Sequence, residues 1–167
     1  MPARILAILV SLLLLAAGST GYLIWRNTPA QVAKRYLEKL ARTVTVYREN
    51  SPVNRRFRAS SLGELLADPL EIHLPSARVD GSFNQEELQS GYLSVSLECG
   101  YFQVAFSKVK LLQSDPKFLR LEASLEVVSD FPDDLFPFRQ LVELQISRSG
   151  KSLLLSSVSS KPEARAP

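Results

Sequence analysis

The chain predicts an α+β fold: a cone-like, curved antiparallel sheet covered by three helices from its N-terminal half, preceded by one transmembrane helix. Three observations carry this. An uncharged apolar run, Ile5 to Trp25, opens the chain, and three helix-start signatures follow it, at Thr28, Ser61 and Asn84. After Gly100 the apolar period drops from about 3.6 to 2, the change from helix to strand.

Ile5 to Trp25 holds 21 residues between Arg4 and Arg26. At ~1.5 Å per helical residue it spans ~30 Å of hydrocarbon, with Tyr22 and Trp25 placed for an interfacial belt. A cleaved signal peptide is the competing reading, with Ala16, Ala17, Gly18 and Ser19 as the cleavage zone. The apolar pattern resumes at Tyr22–Trp25, which favours an uncleaved anchor, and Ser19 stands where an acylated cysteine would be needed. Residues 1–27 are therefore expected to be an anchor or uncleaved signal, 28–160 the folded domain, and 161–167 a disordered polar tail. Arg26, Lys34, Arg35, Lys39 and Arg42 outweigh the amine and Arg4, so a strict positive-inside count retains the domain in the cytoplasm. The habit of short N-terminal anchors favours a single-pass cell-membrane protein with a periplasmic, extracytoplasmic domain.

Thr28-Pro29-Ala30-Gln31 is a capping box with proline at the first helical position. Ala33, Leu37, Leu40, Val44 and Tyr47 give that helix its apolar stripe, and Asn50-Ser51-Pro52 ends it. The run Asn54 to Arg58 precedes a second box, Ser61-Leu62-Gly63-Glu64, which predicts a brief helix ended at Asp68-Pro69. Leu70 to Leu74 alternates as a strand, and Ala77 to Phe83 makes a second short strand or turn. Asn84 caps a third helix carrying Leu88, Tyr92, Val95 and Cys99, with Gly100 as its C-terminal glycine.

Phe102, Val104 and Phe106 alternate in the next strand, and Gln113 to Lys117 turns the chain. Leu119, Leu121, Ala123, Leu125 and Val127 then alternate with Arg120, Glu122, Ser124 and Glu126, a strand with one face on a core. Val142, Leu144 and Ile146 repeat the pattern, Ser149-Gly150 is a hairpin signal, and Leu153 to Val158 makes the last strand. Strand parity puts Phe131, Phe136 and Phe138 on the buried face near its rim. Pro132 and Pro137 end the pairing there, and Asp133 and Asp134 form an exposed tip.

Composition narrows the function. Of 167 residues 46% are hydrophobic and 22% charged, which is ordinary for a globular domain. Cys99 is the sole cysteine and His73 the sole histidine, so neither a disulfide within the chain nor a Cys/His zinc cluster is available. Cys99 reads as a buried, inert thiol. Residues 1–58 carry ten Lys and Arg against two acids, and residues 59–167 carry ten against fifteen. A basic arm followed by an acidic domain suits anionic lipid, whereas a nucleic-acid binder would be basic on the domain as well.

The long first helix, the strand Pro69 to Pro75, the passage Val79 to Leu88 and the final alternating strands resemble the nuclear transport factor 2-like superfamily. That cystatin-like α+β group includes SnoaL-like cyclases, ketosteroid isomerases and scytalone dehydratase. The resemblance covers about Pro29 to Ser160 and implies a mostly apolar pocket between helices and sheet. It implies pocket-lining roles for Tyr36, Leu40, Tyr92, Phe102, Leu125, Phe131, Phe136, Phe138 and Val142. Enzymes of the group use a carboxylate or histidine base and phenol or acid donors. Glu71, His73, Asp80, Tyr36, Tyr92 and Tyr101 are the available pieces, with His73, Tyr36 and Tyr92 as catalytic candidates.

The ordinary readings of those pieces lead. His73 and Glu71 share the strand face opposite Leu70, Ile72 and Leu74, so an inward apolar set turns the histidine outward. Ser149 to Ser152 ends like a phosphate loop, but Gln145 occupies the place of its first glycine and strands flank it, so it is a hairpin. No nucleophile elbow occurs. Asp130, Asp133 and Asp134 lack calcium-loop spacing, and no metal or cofactor is expected. Arg26, Lys34, Arg35, Arg55, Arg56 and Arg58 are expected at a membrane surface, with Phe57 among them. The expected function is a membrane-anchored, non-catalytic binding or assembly module. The alternatives are a carrier or sensor of a small apolar ligand or lipid and, behind it, an isomerase or dehydratase. Expected partners are membrane lipids, a partner protein or second copy, and a small apolar ligand, with no nucleic acid.

Overall fold

The computed structural model describes residues 26–130, 137–150 and 152–161. The element order is α1 (Pro29–Val44), α2 (Pro52–Gly63), β1 (Leu66–Leu74), a 3-10 turn (Pro75–Ala77), β2 (Val79–Phe83), α3 (Gln85–Glu98), then β3 (Phe102–Ser114), β4 (Phe118–Ser129), β5 (Phe138–Ser149) and β6 (Ser152–Ser160). Among the described residues no helix is long and apolar enough to cross a membrane. Ile5 to Trp25, Phe131 to Phe136 and the tail from Pro162 lie outside the described residues, so the expectations for an anchor, for Phe131, Asp133, Asp134 and Phe136, and for the tail fall there.

The strands form one six-stranded sheet in the order β2-β1-β6-β5-β4-β3. The expectation of an all-antiparallel sheet is corrected here: β1 runs parallel to β6, with Ile72 opposite Val158. The β1–β2 hairpin docks on the open edge of the β3–β6 meander. A pairing between strands nearly 90 residues apart has no local turn signal to announce it.

The two central strands behave as their alternation dictates. Leu119, Leu121 and Ala123 face Ile146, Leu144 and Val142 across the β4–β5 ladder, and all six are 0% exposed. Each large aliphatic buried there contributes about 2 kcal/mol of transfer free energy, which fixes the register because a one-residue slip would turn the whole set to solvent. The outer face carries ion pairs instead, Arg120 with Glu143, Glu122 with Lys161 and Glu126 with Arg139. β3 bends at a bulge between Ser107 and Lys110, where Lys108 takes φ +52°.

Helix α1 lays Ala33, Tyr36, Leu37 and Leu40 on this sheet and ends at Val44, short of the expected Tyr47, because Val46 pairs with Phe102 as a bridge. Helix α2 departs further from expectation. It starts at Pro52 with Ser51 as N-cap, its hydroxyl accepting from Asn54 N at 3.2 Å, and it has ended by Gly63. The Asn54–Arg58 run is therefore inside the helix, and Ser61 is near its end. The Asn84 box forms as read: its side chain accepts from Glu87 N at 2.9 Å, and the Glu87 carboxylate accepts from Asn84 N at 2.8 Å.

Gly100 is not a left-handed cap, since the C-cap of α3 is Cys99 in extended conformation. Its smallness serves a close approach: a Cβ there would lie 3.0 Å from an Asp130 carboxylate oxygen. That carboxylate accepts from Tyr101 N at 2.8 Å and pairs with Arg48 at 3.4 Å. The Tyr101 amide, followed by Arg48, holds the Asp130 carboxyl below the usual range.

Candidate functional site

Three surfaces compete for the role, and the catalytic candidates are spread over them. The first is the buried seam between α1 and the sheet. Tyr36 is 6% exposed; its hydroxyl donates to the Leu65 carbonyl and accepts from Leu155 N at 2.7 Å. Leu155 N also donates to the Leu65 carbonyl at 2.9 Å. This is where β6 first meets β1, before the register shift between Leu66 and Glu71. The phenol therefore fastens β6 to the residue that leads into β1. Burial pushes its pKa well above the ordinary tyrosine value, keeping the hydroxyl protonated as the bond requires.

The second surface is the outer face of the β1–β2 edge. His73 and Glu71 point away from the core, as their strand parity requires. The His73 imidazole Nδ1 donates to Asp80 Oδ1 at 2.6 Å, and both side chains are more than half exposed. Tyr36 hydrogen-bonds on the opposite, core side of the sheet, so the only histidine and the most buried phenol among the described residues are not brought together.

The third surface is the end of α1 where α2 and α3 converge. Helix C-termini leave carbonyls without partners inside the helix, and cations are favourable beside them. Arg58 of α2 fills that need, donating from Nη1 to the Arg42 carbonyl at 2.7 Å and the Thr45 carbonyl at 2.6 Å. Asn54 holds the Arg58 Nε at 2.8 Å. Arg55 donates to the carbonyls of Asn50, at 3.1 Å, and Cys99, at 3.4 Å. Tyr92 of α3 reaches the Thr43 carbonyl at 3.5 Å; burial raises its pKa, partly offset by Arg58 and Arg55. The Cys99 thiol, 2% exposed, is pushed upward by burial and by the Asp130 charge, which keeps it a poor nucleophile.

The expected pocket residues separate into two groups. Leu40, Leu125 and Val142 are core residues at 8% exposure or less. Tyr92, Phe102 and Phe138 are partly buried and pack against that core. Near Phe138, Gln140 accepts from the Ser76 hydroxyl and ties the 3-10 turn to β5.

The cations expected at a membrane surface differ in exposure. Arg26, Lys34, Arg35 and Arg56 are exposed, and Arg55 and Arg58 are partly buried in the helix-end cluster just described. Arg35 donates to the carbonyls of Arg26, at 2.7 Å, and Gln31, at 3.4 Å. Lys39 and Arg42, counted in the basic arm but not in the expected membrane-surface set, line with Arg35 an open groove of about 530 Å³ between α1 and α2. The signal was present in their spacing, since residues 35, 39 and 42 share one helix face. Beside this groove α2 exposes Val53 at 77% and Phe57 at 73%, the most exposed large apolar side chains among the described residues.

No protein-family model matches the chain, and no curated protein matches it in sequence. Solved structures do share its fold. A nuclear transport factor 2-like protein from Cytophaga hutchinsonii aligns at 13% identity over 80% of this chain and 99% of its own, with TM-score 0.59. A second such protein, of unknown function, from Pseudomonas aeruginosa aligns at 12% identity over 76% of this chain and 94% of its own, with TM-score 0.58. A protein from Novosphingobium aromaticivorans, provisionally assigned as a scytalone dehydratase, aligns at 7% identity over 90% of this chain and 99% of its own, with TM-score 0.59. The three helices and curved mixed sheet are thus a nuclear transport factor 2-like α+β fold. At these identities the likeness concerns fold alone, and one fold carries many functions.

Proposed function

We propose that this chain is a membrane-anchored, non-catalytic binding or assembly module, single-pass in the cell membrane with its domain outside the cytoplasm. The observation that carries this reading is the dispersal of the acid–base candidates. A proton-transfer site needs a base and a donor within hydrogen-bond reach of one substrate. Here His73 is spent on Asp80 at the outer sheet edge, the Tyr36 hydroxyl on two backbone groups, and Tyr92 on a helix end.

The membrane address is supported by adjacency. The apolar run Ile5–Trp25 stops three residues before Thr28 caps α1, so an anchor there holds the domain against the bilayer. The α1–α2 side then offers its exposed cations to anionic headgroups of the leaflet it faces, each contributing about 1 kcal/mol where that leaflet is anionic. A protein partner or a second copy is the assembly this module serves.

Three measurements on the full-length chain test the reading. It should resist alkaline carbonate extraction from membranes, expose a C-terminal reporter outside the cytoplasm, and co-purify with a partner in fixed stoichiometry. Release by carbonate overturns the anchor. Turnover of an enolisable ketone that is lost in His73→Ala overturns the non-catalytic assignment. An apolar molecule retained in organic extracts of the purified chain moves the assignment to a carrier.

A further inference from the structure

Helix α1 carries three cations on one exposed face, Arg35, Lys39 and Arg42, at spacings of four and three. Like charges at such spacings destabilise a helix by a few tenths of a kcal/mol per pair unless something neutralises them. Arg58 faces the same groove from α2, and the groove's lining holds one carboxylate, Glu38. Among the described residues no ion pair joins Glu38 to any of these cations. Arg35 and Arg58 are partly committed to backbone carbonyls. The side chains of Lys39 and Arg42 make no hydrogen bond or ion pair among the described residues. Two cations whose side chains have no hydrogen-bond or ion-pair partner among the described residues therefore lie side by side in a concave site that also holds the Asn54 amide and the Ser61 hydroxyl.

We infer that the α1–α2 groove receives the phosphate-monoester headgroup of an anionic lipid, an assignment that rests on the membrane-anchored reading above. A phosphate monoester near pH 7 carries about −1.5 to −2 charges and three acceptor oxygens. That neutralises Lys39 and Arg42 together and uses the neighbouring amide and hydroxyl as donors. A phosphodiester with one charge leaves one of the two cations uncompensated. Phe57 selects lipid over a soluble ester: it lines the groove at 73% exposure, and an aromatic ring there gains by entering the headgroup–acyl boundary next to the bound phosphate.

The test titrates the full-length chain in detergent micelles with phosphatidic acid, phosphatidylglycerol, phosphatidylcholine or soluble glycerol 3-phosphate, counting bound ligand by native mass spectrometry. Phosphatidic acid should bind about ten-fold more tightly than phosphatidylglycerol. The Lys39→Gln/Arg42→Gln double variant should lose at least about ten-fold, while Lys108→Gln/Lys110→Gln on β3 retains wild-type binding. Circular dichroism confirms that both variants fold. Equal binding of the two anionic lipids overturns the monoester assignment, unchanged binding in the double variant overturns the location, and glycerol 3-phosphate binding as tightly as phosphatidic acid overturns the lipid source. Carbonate extraction of membranes that carry the full-length chain, done before solubilisation, separates the two proposals: a chain that stays in the membrane without headgroup preference loses this inference alone, and one that is released loses the anchor as well.

Discussion

Removing the Tyr36 hydroxyl isolates a single fastener in the fold. Tyr36→Phe keeps the ring, so no cavity opens, and Leu155 N and the Leu65 carbonyl keep their own bond at 2.9 Å. No backbone group is orphaned, so the cost is the net worth of a neutral hydrogen bond and not the larger desolvation penalty of an unpaired one. That puts the loss at about 1 kcal/mol, or about 4 °C in Tm for a domain of this size. The phenol also dictates a pH signature. Its pKa is raised by burial, so the native state holds a proton that the unfolded chain releases above pH ~10. The stability linked to that proton is fully present below pH ~10 and falls as the pH rises beyond it, in the wild type only. Urea unfolding of the full-length protein and of Tyr36→Phe, followed by circular dichroism from pH 7 to 11, should show a gap that narrows above pH ~10. A gap below about 0.3 kcal/mol at pH 7, or one independent of pH, refutes the fastening role.

Other substitutions probe the elements that place the site. Asn84→Ala removes the side-chain half of the α3 capping box and should cost about 1 kcal/mol, read as a lower urea midpoint with unchanged slope. Gly63→Ala puts a methyl 2.3 Å from Gln85 Nε2, the group that donates to the Gly63 carbonyl. The Gln85 side chain must swing away, so a loss of about 1 kcal/mol is expected, reversed in part when Gln85→Ala is added. The exposed His73–Asp80 pair should contribute less than about 0.5 kcal/mol, so His73→Asn leaves the denaturation midpoint nearly unchanged.

The central strands were readable because each buried residue of β4 alternates with a charged or small partner, and burial enforces that period of 2. The Asn84 helix was readable because its cap is a contact between residues three apart. The α2 boundary was not, because two cap signatures compete: Ser51-Pro52 prevails over Ser61, while Val53 and Phe57, which face solvent, blur the apolar period. The parallel β1–β6 pair and the bond from Tyr36 to Leu155 span 80 to 120 residues and leave no local trace. At the candidate site the basic run of α2 was legible as charge. What sequence could not tell is that Arg55 and Arg58 close helix and loop carbonyls, while the Lys39 and Arg42 side chains in the α1–α2 groove have no partner among the described residues.

The account stands most directly on whether the α1–α2 side lies on lipid. Trp25 is the only tryptophan, so a Trp25→Phe background allows one reporter to be placed at will. With Phe57→Trp in full-length protein reconstituted into vesicles containing phosphatidic acid, brominated lipids should quench the fluorescence strongly. With Gln145→Trp, on the outer face of the sheet, they should quench little. Equal quenching at both positions, or none at position 57, contradicts the account.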